Sequence, residues 1–315
     1  MSPISYDAVV RELMTLPTAM SIQEPSVAEI MSFIRNQSCF NTKHNYRMEI
    51  ALFYRTVGKR ASAVSIQDLL GYKELLEAKG LKPITVAKKL TVLRRLFTFL
   101  YEQGVIPTNP SAGVKLPKTS SETTREILSL ADCNKLIASI DTSTVRGKRD
   151  KAIIVLLLVN GLRVCEITRA NVGDLVQSNG YRVLRVRGKG GKLIDTRIRD
   201  DAHAVIQAYV RTRKELEEND PLFLGTTCRS GKRLERRTVQ YMVKARLKCL
   251  GIDHPHISTH SLRHSSITHL INGGATLIAA QDFARHANPA TTQRYFHNLE
   301  RLKNHAVMMQ PIRVQ

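Results

Sequence analysis

Residues 105–126 read VIPTNPSAGVKLPKTSSETTRE, with three prolines and many serines and threonines. A proline lacks the N–H that a helix or an inner strand needs, so no regular element is expected to run through this stretch. It reads as an extended, polar linker that parts the chain into two bodies. A length of 315 residues suits two cores better than one. The expected organisation is an N-terminal extension over 1–25, a helical domain over 26–106, a linker over 107–125 and a second domain over 126–315.

The first body reads as helices throughout. SVAEIMSFIRNQ looks like one, and TKHNYRMEIALFYRTVG another, with Tyr46, Ile50 and Phe53 at helical spacing. SIQDLLGYKELLEAKG has Ser65 placed to cap its start and Gly80 to end it. In KPITVAKKLTVLRRLFTFLYEQG, residues Ile84, Ala87, Leu90, Leu93, Phe97 and Leu100 share one face. Lys88, Lys89, Arg94 and Arg95 lie mostly on other faces, where they would track phosphates or simply be solvated.

The second body mixes elements. LSLADCNKLIASI, RGKRDKAIIVLLLVNG, DAHAVIQAYVRTRKELEE, RRTVQYMVKARLKCLG, HSLRHSSITHLINGG and the tail ERLKNHAVMMQ read as helices. YRVLRVRGKGGKLIDTRI reads as a β-hairpin around a Gly/Lys-rich turn. The fold class is therefore mainly α with a small antiparallel sheet.

Charge narrows the partners. Lys and Arg total 48 against 27 Asp and Glu, a net of +21, and both halves share it: +7 over residues 1–125 and +14 over 126–315. An excess spread over both bodies points to a polyanion, nucleic acid being the commonest, rather than to a basic tail. A ribosomal-type or merely soluble basic protein would also carry it. The five cysteines are scattered, with no CxxC pair, against a disulfide framework or a cysteine zinc site. MSPISYDAVVRELM lacks the pattern of a signal peptide, and the longest apolar run, 152–159, is too short to span a bilayer. A cytoplasmic, nucleoid-associated protein without membrane contact is expected.

Five short stretches could do chemistry. NGLRVCEI puts Arg163 three residues before Glu166, where a helix would let the carboxylate orient the guanidinium, although a surface pair would look the same. RGKGGK sets Lys189 at the hairpin tip with Lys192 beside it, able to touch phosphate or to serve as a general acid. HSLRH holds His260, Arg263 and His264 on one helix; the two histidines alone make a poor zinc site. His286 precedes Asn288-Pro289, a helix start, and Tyr295 follows nine residues after His286. Two arginines, histidines and a lysine are what a phosphodiester transition state needs, and a tyrosine would supply the nucleophile. No acidic cluster stands ready for magnesium, so no cofactor or metal is expected.

These stretches, in this order and spacing, resemble the tyrosine recombinases of the phage integrase family. The resemblance runs through Arg163, Lys189, His260-x-x-Arg263, His286 and Tyr295, and the helical first body is similar to the family's core-binding, SAM-like domain. It implies a C-shaped clamp on double-stranded DNA at a specific recombination site. Tyr295 would attack the scissile phosphate to give a 3′-phosphotyrosyl enzyme. Arg163, Arg263 and His286 would hold the nonbridging oxygens, Lys189 would protonate the 5′ leaving oxygen, and His260 would help deprotonate Tyr295. Glu166 would act through its arginine. The resemblance further implies a Xer-like or transposon-encoded recombinase, a homotetramer of two dimers working through a Holliday junction with C-terminal helices exchanged, and an accessory or partner recombinase in some settings.

One departure stands out. The family usually has Leu-Gly-His where this chain has Ala284-Arg285-His286, which puts a cation beside the site. A type IB topoisomerase shares the chemistry, and a non-cutting DNA-binding accessory protein could share the fold; both stay open at this level.

Overall fold

The computed structural model describes residues 25–37, 39–118, 126–188, 191–225, 231–252, 254, 256–286, 288–293 and 295. The chain forms two compact units, residues 1–123 and 124–315.

The described residues of the first unit form a bundle of four α-helices: α1 (Pro25–Arg35), α2 (Phe40–Val57), α3 (Ile66–Ala78) and α4 (Pro83–Glu102). Tyr46, Ile50 and Phe53 of α2 are buried, as their spacing predicts. Ser65 caps α3 through a reciprocal pair with Asp68, and Gly80 turns the chain with a left-handed φ of 72°. In α4, Leu90, Leu93, Phe97 and Leu100 enter the core together with Val86, Val92 and Leu96. Ile84 does not: it sits in the first turn beside the N1 proline and is 42% exposed, so the core face begins at Val86. The proline-rich stretch is less of a linker than its composition predicts. Ser111 and Val114 are buried, and Val114 packs into the first unit's core. Its prolines stop regular structure, but its few apolar side chains still seek burial.

The second unit opens with α5 (Leu130–Ala138) and α6 (Val145–Leu158), the latter buried all round from Ala152 to Leu157. α7 (Val164–Arg169) follows, then three strands, β1 (Leu175–Ser178), β2 (Tyr181–Arg187) and β3 (Leu193–Arg197), paired antiparallel in that order. The expected hairpin is β2–β3, with Arg187 opposite Leu193; β1 was not expected. It joins β2 through Asn179-Gly180, both at positive φ, the signature of a tight hairpin turn. Helices α8 (Asp200–Val210), α9 (Arg236–Cys249), α10 (Thr259–Asn272) and α11 (Leu277–Ala284) follow.

Two helix readings need correction. α8 ends at Val210 rather than running on through Glu218, because Arg213 folds back to donate to the Pro221 and Leu222 carbonyls and Glu215 takes a left-handed φ of 52°. α11 was not expected at all; Thr276 caps it by accepting from the Ala279 amide. The tail expected to be helical lies outside the described residues. Among the described residues, no helix is long and apolar enough to cross a membrane.

Candidate active site

The backbone sets the site at the ends of buried helices. α6 is halted by Gly161, whose φ of 54° turns the chain and whose absent side chain leaves room for Phe283; a Cβ would stand 2.7 Å from that ring. The chain then enters α7 with Arg163 as its N-cap and Glu166 at the third helical position. The buried Glu166 carboxylate accepts from the Arg163 amide at 2.8 Å and from Arg163 Nη1 at 2.7 Å. The pair anticipated from the spacing is thus formed, and it is no surface pair: Glu166 is buried and Arg163 half-buried.

Arg263, on the buried face of α10, reaches the same place from the other side. Its Nη1 donates to the Gly161 carbonyl and its Nη2 to the Ala284 carbonyl, and Nη2 lies 3.4 Å from His286 Nε2. His286 is tied down by Thr292, fully buried, whose hydroxyl meets Nδ1 at 2.9 Å. Asn288 starts the next turn by accepting from the Ala290 amide, and helical backbone carries Tyr295 back over the site. The Tyr295 hydroxyl is hydrogen-bonded with His264 Nδ1, the two rings stacked at 5.2 Å. The His286 ring lies 6.4 Å away on a near-parallel plane.

The electrostatics follow from this crowding. Burial and the charges of Arg163 and Arg285 bring the Arg263 guanidinium down to about 9. Burial, then the charges of Arg263, Arg163 and Arg285, push His286 down to about 4, so its ring is neutral near pH 7 while no anion occupies the cleft. Burial would raise the Glu166 carboxyl, but the charge of Arg285 and the hydrogen bonds from Arg163 hold it below the usual glutamate range. The result is a cluster of buried and half-buried cations around one carboxylate.

An open cleft of about 1060 Å³ runs past Arg163, Arg285 and His286 to Gly188 and Lys192 of the β2–β3 turn. Lys189 itself lies outside the described residues. His260 is exposed on the first turn of α10 and is not the partner seen at the Tyr295 hydroxyl. His264, one turn further along α10, takes that place. The pairing of the two histidines at four-residue spacing was legible, but not which of them faces the phenol. Arg285 is likewise more deeply involved than its place in the sequence suggested: its side chain is only 5% exposed and its Nη2 donates to Glu166 at 3.1 Å.

The four cations expected on α4 divide. Lys88, Arg94 and Arg95 are exposed; Lys89 is paired with Glu49 at 2.6 Å, and Arg95 also donates to the Tyr46 hydroxyl at 2.7 Å. Lys89 and Arg95 thus tie α4 to α2.

A tyrosine hydroxyl against an imidazole, facing guanidinium groups at the rim of a basic cleft, is equipment for phosphoryl transfer through a covalent tyrosine. Residues 126–301 match the pattern of the phage integrase family. Tyrosine recombinase XerD of Listeria innocua is 33% identical over 235 residues, 73% of this chain and 77% of the relative. Tyrosine recombinase XerC of Shewanella amazonensis is 33% identical over 259 residues, 81% and 84%. Among solved structures, the Tn1549 transposon integrase (residues 82–397) in complex with circular intermediate DNA superposes with a TM-score of 0.71 at 20% identity, covering 90% of this chain and 99% of the other. XerH recombinase bound to palindromic difH substrate, in a post-cleavage complex, gives 0.70 at 18% identity, with 96% and 93% covered. The chain belongs to the phage integrase family, and it is an enzyme of the tyrosine recombinase type.

Proposed function

We propose that this chain is a site-specific DNA recombinase that cuts and rejoins double-stranded DNA through Tyr295. The observation that carries this reading is the Tyr295 hydroxyl, hydrogen-bonded with His264 beside Arg163, Arg263 and His286. The Tyr295 oxygen attacks the scissile phosphorus and its proton passes to His264, with His260 one turn away on the same helix. The bond from phosphorus to the 5′ oxygen breaks, and Lys189 protonates that leaving oxygen. Arg163 and Arg263 neutralise the nonbridging oxygens, so the cationic side chains do the work that metal ions do elsewhere. A 5′-hydroxyl from a partner duplex then attacks the phosphotyrosine and frees Tyr295. One phosphodiester bond is made for each broken, so no nucleotide cofactor is needed.

Relatives named as recombinases favour this over a topoisomerase, which would rejoin the same strand, or a protein that does not cut. We further propose that four copies act on two synapsed sites, passing through a Holliday junction, and that the residues beyond Tyr295 dock on a neighbouring copy. The role in the cell would be integration, excision or resolution of a mobile element or replicon.

The test is covalent capture. Wild-type protein is mixed, without added metal, with nicked duplexes bearing a randomised core, then quenched in SDS. Recovered protein-linked DNA, attached through its 3′ end to Tyr295, supports the reading; its absence across the library would overturn it. On the recovered duplex, Lys189→Ala should slow cleavage by about 100-fold or more at an ordinary 5′ oxygen. It should be nearly harmless at a 5′-bridging sulfur, which leaves without a proton. Equal defects on both would remove Lys189 from its role.

The neutral His286 gives a second expectation. A phosphate oxygen beside the ring reverses the sign of its surroundings and raises its pKa, so DNA binding takes up a proton. At fixed salt, affinity should therefore rise as pH falls from about 7 towards about 5. The rise should be much smaller in His286→Asn, as measured by fluorescence anisotropy.

A further inference from the structure

Arg285 stands in a backbone conformation that favours glycine. It is the C-cap of α11, with φ 51° and ψ 47°, where a side chain is strained. The strain is met by an arginine whose guanidinium points inward rather than by a residue left in solvent, and its bonds show what it holds. Nη2 donates to Glu166 Oε2 and to the Gly161 carbonyl, each at 3.1 Å, and Nη1 donates to the Phe283 carbonyl at 2.9 Å and lies 3.4 Å from the Thr196 hydroxyl on β3.

Two of those acceptors are shared with the arginines of the site. Glu166 also binds the amide and guanidinium of Arg163, and the Gly161 carbonyl also accepts from Arg263. The carbonyl of Arg285 itself lies 3.4 Å from Arg163 Nη2. One guanidinium therefore links both arginines from behind, and β3 through Thr196. A lysine could not reproduce this, because a point charge has no planar fork to meet two acceptors in fixed directions. Arg163 and Arg285 both pair with the Glu166 carboxylate, whose charge offsets their mutual repulsion.

We infer that Arg285 is a positioning residue for strand cleavage: by clamping Glu166 and the Gly161 carbonyl it holds Arg163 and Arg263 in the common orientation that a phosphate requires. The inference rests on the proposed recombinase function for its catalytic consequence, but the clamp itself can be measured without DNA.

Three variants test it. Arg285→Gly suits the left-handed backbone and removes the clamp, Arg285→Lys keeps the charge without the fork, and Arg285→Gln keeps hydrogen-bonding atoms without the charge. On the captured duplex, Arg285→Gly should bind DNA much as the wild type does, while single-turnover cleavage falls about 100-fold, the loss expected when reacting groups are misplaced by about an ångström. Lysine and glutamine should restore only a small part of that rate. Cleavage by Arg285→Gly within about threefold of wild type would overturn the inference, as would a defect confined to DNA affinity. In the DNA-free protein, the Arg163 Nε–H signal in nitrogen-15 spectra should exchange with water faster in Arg285→Gly than in wild type. Unchanged exchange would overturn the clamp. Should the wild type capture no duplex at all, the recombinase reading fails while this spectrum still decides the clamp.

Discussion

Replacing Tyr295 by phenylalanine should leave DNA binding intact and abolish the covalent protein–DNA adduct. The change removes one oxygen and keeps the ring that stacks beside His264 and packs against the small cluster of Ile267, Ile271, Ala280 and Ala284 on α10 and α11. Folding should therefore change little. The expected signal is all or none: an SDS-resistant band from the wild type and none from Tyr295→Phe, with matched mobility shifts under native conditions. A variant that still forms adducts would place the nucleophile elsewhere.

The second large effect falls on stability. Glu166→Ala removes the carboxylate that balances Arg163 and Arg285, the latter with its side chain 5% exposed. Leaving a buried charge without its counterion costs about 3–5 kcal/mol, far above an ordinary surface pair. Chemical denaturation followed on the second unit's signal should show a loss of that order. The double variant Glu166→Ala/Arg285→Gly should recover part of it, since the stranded cation goes too. The pH dependence has a definite sign. The Glu166 pKa is lowered by folding, so its contribution is present above its unfolded value of about 4.3 and is lost as pH falls through the folded value. The gap between wild type and Glu166→Ala should accordingly narrow in acid, below that value.

Much of this could be read from the chain because periodicity is a local property. Tyr46, Ile50 and Phe53 repeat at helical spacing and are buried; Ser65 and Asp68 sit three apart and cap each other. Where sequence and structure differ, the deciding contact is distant or the local signal is short. β1 was announced by Asn179-Gly180, a turn that few residues other than glycine and asparagine can make, yet Leu175–Ser178 is too short for alternation to stand out. α8 was drawn too long because charged residues up to Glu218 suit a helix, while the turn of Arg213 onto Pro221 and Leu222 leaves no periodic trace. The site tells the same story. Its residue types were visible as five motifs, but the bonds joining them cross great distances in sequence, Gly161 to Arg263 and Glu166 to Arg285 among them. That His264 rather than His260 meets Tyr295, and that Arg285 turns inward, depend on those crossings.

The aromatic ring of the proposed nucleophile is also a packing residue. Tyr295 leans on a satellite cluster of Ile267, Ile271, Ala280 and Ala284, separate from the large core that holds α6 and the sheet. Among the described residues this cluster is smaller than the main core, and small clusters open locally more readily than large ones. On the proposed mechanism, a contact that steadies or loosens this cluster would change how often the hydroxyl is presented, so the timing of a cut would be governed from outside the cleft without altering any charge inside it.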